Sequence, residues 1–368
     1  MTVAGQAGDS VTIGVLADPD LPTRLAHSLR ADLPGELELV LGERVSWQVQ
    51  VNGDPFEAMY PDNDQLIDRA RDYVSETSWD LALCVTDLPL RDTRGVLVAV
   101  VDPTAQVALI SLPALGGFRL RHRLRELAVA IVAGLRAHRA EPAEVPVPIP
   151  VRGVRASQEA NGELHLLRRR PFGSVCVLAG MVRANRPWQL VIGLSTALAG
   201  AMAGTSFGVL YSTIWTLAVS LGPLRLAGIT VAALTALSTW IIIGHSLWER
   251  RAPDTDTRDD RYLALRNAGT VSTVVVGTIV FFLALYLLAL AAVALVVSPD
   301  YLATTLGRPS DLGDYCTIAL MATVLGTVAG AVGSGLEDDV TVRKATYGYR
   351  EQDRYRLAEQ RRRARDPS

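Results

Sequence analysis

The sequence predicts two fold classes in one chain: an α/β domain on a mixed sheet, followed by an all-α bundle of four transmembrane helices. Three observations predict this. The first 150 residues carry short apolar runs alternating with helical patterns. The remainder holds four uncharged runs, each at least 20 residues long. Charge also divides along the same line: residues 1–150 hold 21 acidic and 13 basic residues, residues 151–368 hold 17 and 23. The overall balance of −2 therefore hides an acidic half and a basic half, and the basic half is the one with the apolar runs, so lipid is the simplest partner for it.

The membrane half is read first. Trp188–Leu224, Leu226–Trp248, Asn267–Pro299 and Tyr315–Leu336 contain no Asp, Glu, Lys or Arg. A spanning helix needs about 20 mostly apolar residues, which places crossings at 188–222, 226–248, 268–298 and 315–336. Arginine placement sets the direction. Arg168, Arg169, Arg170, Arg183 and Arg186 precede the first run, Arg225 alone follows it, and Arg250 and Arg251 lead a basic loop after the second. Arg308 alone lies between the third and fourth, and nine basic residues lie between Arg343 and Arg365. The alternation places both termini in the cytoplasm of a cell-membrane protein. The first run is long. A single tilted helix fits the alternation better than a hairpin turning near Thr205 and Ser206, which would give five crossings.

Glycines mark packing faces. Gly200, Gly204 and Gly208 recur every four residues, as do Gly326 and Gly330. Such stripes let backbones approach closely in lipid. They serve contacts within the bundle or, alternatively, the seam of a homo-oligomer. The crossings lack acids and bases at depth, which argues against an ion-coupled transporter. His245 lies near the cytoplasmic end of the second crossing, as an interfacial or capped residue.

In the N-terminal domain (1–140), strands are expected at Val11–Ala17, Val45–Val51, Asp80–Val85, Gly95–Val101 and Gln106–Leu112. Helices are expected at Leu21–Leu33, from Asp64 to about Ser78 with Asn63 as cap, and at Arg119–His138. The order is β-α-β-α-β-β-β-α. Residues 141–187 read as a Pro-rich spacer (EPAEVPVPIP) and a basic segment whose apolar stretch, Val175–Val182, lies along the inner leaflet. Residues 337–368 form a basic cytoplasmic tail, suited to anionic head groups or to the acidic domain; nucleic acid is not expected.

The segment VTDLPL and the helix after the fifth strand are similar to those of small zincin-type metalloproteases, archaemetzincins in particular. The resemblance implies His-Glu-x-x-His on that helix. The matching stretch here is Arg125-Glu126-Leu127-Ala128-Val129. Only Glu126 fits, and neither Arg nor Val ligates zinc, so the resemblance implies a degenerate relative without metal. His122 and Glu126, spaced i and i+4, are the remaining candidates, with a surface pair the plainer assignment. Asp18, Asp20, Asp80 and Asp87 fall at strand ends, where turn and capping roles compete with a site. Cys84, Cys176 and Cys316 are isolated thiols. No phosphate-binding, nucleophile-elbow or metal motif is present, and no cofactor is expected.

The single lysine, Lys344, among 36 basic residues points to a high-GC genome. The whole chain resembles multi-pass membrane proteins of actinobacterial-type bacteria. The first ten residues lack a basic and apolar leader, so the first domain is expected to stay inside. Three functions remain open: a non-enzymatic binding or regulatory module with an unidentified protein partner, a zincin-like enzyme with an unrecognised site, and a small passive pore or transporter.

Overall fold

A computed structural model describes residues 10–42, 45–53, 63–92, 94–140, 151, 153–159, 162–168, 172–185, 195–245, 247–248 and 257–334. The chain forms two compact units, divided between Ala184 and Asn185.

In the first unit, strands β1 (Ser10–Ala17), β2 (Ser46–Gly53), β3 (Leu81–Thr86), β5 (Gly95–Asp102) and β6 (Val107–Ser111) fall where apolar patterning places them. The order across the sheet is β2-β1-β3-β6-β5-β8-β7, and the two-residue β4 (Arg91–Asp92) pairs with β5 off this path. β2, β1, β3 and β6 run parallel; β5, β8 and β7 run antiparallel to their neighbours. β3, β5 and β6 are buried along their whole length, so their sequences are continuous apolar runs. β2, at the edge, alternates.

The chain passes from β1 to β2 on one side and returns past β1 to β3. Right-handed crossovers in opposite directions put their helices on opposite faces. α2 (Asn63–Glu76) accordingly packs Ile67 and Ala70 on Leu16, Ala82, Cys84 and Leu109. α1 (Leu21–Leu41) lies beside α4 (Leu120–Ala140), joined by Asp32–Arg121 and Glu36–Arg125. α1 is longer than expected because Pro34 does not end it: the buried stripe Ala26, Leu29, Leu33 and Leu37 runs straight through. Burial of Leu33 and Leu37 on either side of Pro34 offsets the backbone donor that proline lacks. Gly42, left-handed at φ 62, caps its end.

The boundary expected at residue 140 is corrected. β7 (Val154–Gln158) and β8 (Leu164–Arg168) extend the sheet beyond β5. The Val175–Val182 stretch lies in α5 (Phe172–Asn185). A Cβ on Gly180 would stand 2.4 Å from the Pro113 carbonyl oxygen, and one on Gly117 would stand 2.8 Å from that of Ala179. α5 is therefore seated on the short buried helix α3 (Leu112–Leu115) and the loop after it. Glu141–Pro150 and the tail lie outside the described residues.

Among the described residues of the second unit, three helices are long and apolar enough to cross a membrane: Gly222–Gly244, Leu263–Val296 and Leu312–Gly333. They belong to α8 (Gly222–Gly244), α9 (Thr257–Val296) and α11 (Leu312–Ser334). A fourth crossing exists if α6 (Ser195–Leu210) and α7 (Ser212–Ser220) count as one, but they are bent by 84°. The single long helix over 188–222 is thus corrected to a broken pair, with the break at Tyr211 rather than near Thr205. Tyr211 is extended (φ −98, ψ 109), and the Trp215 indole donates to the Gly208 carbonyl, 3.1 Å away. α7 turns Thr213, Thr216 and Ser220 outward and Trp215 and Ala218 inward. Arg225 is exposed in the first turn of α8 rather than in a loop before it. A 40-residue α9 is about 60 Å long, twice a hydrocarbon core, so it tilts or extends beyond it.

The glycine stripes meet each other. A Cβ on Gly200 would lie 2.9 Å from the Ala329 carbonyl oxygen; on Gly208, 2.4 Å from the Ala322 Cα; on Gly326, 2.6 Å from the Ala201 carbonyl oxygen. Gly204 faces Leu325, Gly326 and Ala329, and Gly330 faces Ala197 and Ala201. Rising numbers on α6 meet falling numbers on α11, so the two helices are antiparallel. Both stripes are used inside the chain, in contact with each other.

Gly208→Val should drop the thermal midpoint of the detergent-solubilised protein, through overpacking worth about 1–3 kcal/mol. Gly228, with open space around it, is the control: Gly228→Ala should be neutral or stabilising, by up to about 1 kcal/mol. Equal midpoints for the two variants would remove the close-packed seam.

Candidate functional site

The strand order switches direction between β1 and β3, and open α/β sheets bind ligands outside the carboxyl ends of strands at such a switch. Asp18 follows β1 and is wholly buried. Its backbone N–H donates to the Val85 carbonyl (3.1 Å), and its own carbonyl accepts from the Thr23 N–H (3.0 Å) and hydroxyl (2.7 Å). Those bonds bind the start of α1 to the sheet. Asp20 is held at φ 75, a left-handed value rare for any residue but glycine, and pairs with Arg24 at 3.5 Å. Strain of this kind concentrates at ligand clamps and turns.

At the end of β3, Thr86 accepts from the Leu88 N–H (3.1 Å), and the Ser111 hydroxyl at the end of β6 donates to the Leu88 carbonyl (2.6 Å). Both hydroxyls fold the segment after β3 back over the sheet. Cys84, one strand position before Val85, is fully buried; burial, reinforced by the Asp18 carboxylate, raises its thiol far above the ordinary value. The thiol stays protonated at neutral pH and is no nucleophile there. This edge holds a buried acid, two hydroxyls committed to the loop after β3, and a thiol that is protonated at neutral pH.

The other strand-end acids do different work. Asp80 immediately precedes β3, and its carboxylate accepts from the Thr12 N–H at 2.9 Å, locking β1 to the start of β3 at the opposite edge. Asp87 is half-buried beside the Leu88 turn.

His122 and Glu126 share a face of α4 as a half-exposed pair, 3.4 Å apart. Arg125 reaches His122 at 3.4 Å and Glu36 at 3.4 Å. The pair belongs to the α1–α4 surface. Among the described residues no three His, Cys, Asp or Glu side chains are grouped to hold a metal.

The arginines expected to set topology separate. Arg168 is buried: it ends β8, and its guanidinium donates to the Ala114 carbonyl at 3.0 Å. It is a structural residue of the first unit, correcting its placement in an interfacial segment. Arg183 is exposed on α5. Arg169, Arg170, Arg186, Arg250 and Arg251 lie outside the described residues. His245 caps the carboxyl end of α8, its N–H donating to the Ile241 carbonyl (3.3 Å).

Sequence reasoning missed a charged cluster at the edge where β5 ends. The Arg71 guanidinium donates to Asp102 at 2.6 and 2.9 Å, to Asp68 at 2.5 Å and to Glu163 at 3.2 Å. Burial opposes its charge, but hydrogen bonds and attraction from Asp102 and Asp68 outweigh burial and raise its pKa. Glu163 meets His165 at 3.4 Å, and Arg94 pairs with Glu159. The cluster ties α2, β5 and β8 together. No local pattern announces it, because Arg71 and Glu163 are 92 residues apart.

Comparison with protein-family models, curated proteins and solved structures gave no match.

Cys84 supplies a pH test. Its folded pKa lies above the unfolded value near 9. Its contribution is therefore complete below pH 9 and is lost as pH rises from there toward the folded value. Stability should fall above about pH 9 by at most about 1.4 kcal/mol per pH unit from this group. Cys84→Ala should remove that component, and native protein at pH 8 should alkylate at Cys316, which is exposed, and not at Cys84. Rapid labelling of Cys84 would contradict the burial assigned to it.

Proposed function

We propose that the chain is a membrane-anchored binding module: the α/β unit holds a partner or ligand, and the helical unit fixes it at the bilayer. The observation that carries this reading is the closed seam between α6 and α11, where the helix backbones are in contact. A unit packed to backbone contact at its centre, with Leu224, Ile243, Leu287, Leu295 and Val332 turned outward, is built to sit in lipid. Four of its interior hydroxyls are served locally: Thr273, Thr278, Thr323 and Thr327 donate to carbonyls one turn back in their own helices. The arginine alternation supports a cytoplasmic position for both termini. The committed hydroxyls and inert thiol at the strand ends favour binding over covalent chemistry.

One observation favours a second reading, a small passive pore or transporter. The 84° break between α6 and α7 resembles the discontinuous helices that line transport paths. The capped carbonyl of Gly208 and the buried Trp215 speak for a closed corner instead.

Two measurements separate the readings. In pull-downs from native membranes, the full chain should retain a specific partner that a variant lacking residues 1–184 loses. Equal recovery with both would move the binding surface to the helical unit. Reconstituted vesicles should show no ion or solute flux above protein-free controls; flux abolished by Trp215→Ala would establish the second reading.

A further inference from the structure

The start of α4 breaks a rule of helix electrostatics. Arg119, Arg121, His122, Arg123 and Arg125 crowd its first turns with no acid in the first turn, although that end of a helix favours negative charge. Three of these cations are satisfied: Arg121 by Asp32, Arg125 by Glu36, and Arg123 by the Leu115 carbonyl at 2.6 Å. Arg119 is exposed and has no carboxylate partner among the described residues. It is also held at φ 52, beside Phe118, which is 75% exposed.

The neighbouring surface has the same character. Gly117 lies against the backbone of Ala179 on α5, so the Phe118 tip stands next to that helix. Val175, Ala179 and Arg183 follow one another every four residues and form the exposed stripe of α5. Val175 is 64% exposed, and Arg183, like Arg119, has no carboxylate partner among the described residues. A solvent-facing Phe and Val flanked by two such arginines is the composition of an interfacial anchor. The chain itself supplies the occupant: α5 ends at Asn185, and the first apolar helix of the second unit begins at Ser195. Nine residues of sequence separate these two helix ends, so a bilayer is a partner available to this face without a second molecule.

We propose that the Gly116–Arg119 tip and the Val175–Arg183 stripe form a docking surface for an anionic lipid leaflet, with Phe118 and Val175 among the head groups and Arg119 and Arg183 on lipid phosphates. This rests on the anchored-module reading only in that the second unit sits in a bilayer. It would make the orientation of the α/β unit over the membrane depend on lipid charge.

The test uses the full chain in lipid nanodiscs. An environment-sensitive fluorophore is attached through Phe118→Cys in a Cys176→Ser, Cys316→Ser background; buried Cys84 remains. Discs of phosphatidylcholine alone are compared with discs containing phosphatidylglycerol, each with and without a quencher on the lipid chain. Quenching should rise about twofold or more with the anionic lipid, and Arg119→Glu with Arg183→Glu should abolish the rise. Hydrogen exchange of the unsubstituted protein should show residues 114–121 and 172–185 protected in anionic discs relative to neutral ones. The proposal is overturned by an unquenched probe, by quenching indifferent to lipid charge, or by protection already complete in lipid-free detergent, which would mean that protein covers the face. Nanodiscs expose both leaflets, so the outcome does not depend on which side of the cell membrane the unit occupies, and a failed pull-down would leave it untouched.

Discussion

Between helices in lipid there is no hydrophobic gain to collect, so association depends on how many atoms can touch. In this chain that constraint is met by taking side chains away. Five glycines on α6 and α11, with Ala197, Ala201, Ala322 and Ala329 between them, bring two backbones into contact. The other helices assemble around that pair. α8 and α9 add Leu237, Ile241, Val274, Phe281 and Leu285 against Ala197 and Ala201. α7 and the short α10 (Pro299–Leu306) close one end, where Trp215 meets Tyr301 edge to face and Arg308 pairs with Asp314. A larger residue at the centre would force the α6 and α11 backbones apart.

The α/β unit solves the opposite problem with large side chains and water outside. Its sheet is buried on both faces along β3, β5 and β6, and helices of opposite placement are forced by the strand order. Close approach is confined to a few glycines: Gly117 and Gly180 where α5 is seated, Gly95 against the Arg168 backbone, and Gly14, which admits the Trp79 ring onto β1. Trp79 stacks on Tyr73 and donates to Gln50 at 2.9 Å, linking α2, β3 and β2. Polar groups at both sheet edges hold loops and strands in register, and that leaves the exposed chemistry of the unit to its surface.

What could be read in advance followed period and length. The first five long strands and three helices announced themselves because apolar residues recur at two or at 3.6. Three of the four apolar runs did so, as helices long enough to cross, because lipid demands about 20 residues without charge. β7 and β8 escaped for physical reasons. β7 is an exposed edge of mostly polar residues, VRASQ, and β8 is five residues ending in an arginine that looks interfacial until it is seen buried on Ala114. The corner at Tyr211 escaped too, since no proline makes it; a tryptophan four residues on, capping a carbonyl, is a tertiary device. At the candidate site Asp18 and Asp87 were visible as strand-end acids, whereas Thr86 and Ser111 carry no signal until the loop they fasten is seen. Phe118 and Arg119 were in plain view, but only the seating of α5 gives them a neighbour.

The lateral position of β8 has a consequence for how the protein is made. β5 lies in the middle of the sheet, yet its outer partner is encoded about sixty residues later, past α4 and the proline stretch. While a ribosome is still delivering that interval, a wholly apolar strand offers its open flank to any other nascent chain. The flank closes only once Leu164–Arg168 emerges, roughly thirty residues before the first hydrophobic helix follows it out. Folding of the α/β unit and delivery of the chain to the bilayer are thereby set to occur nearly together.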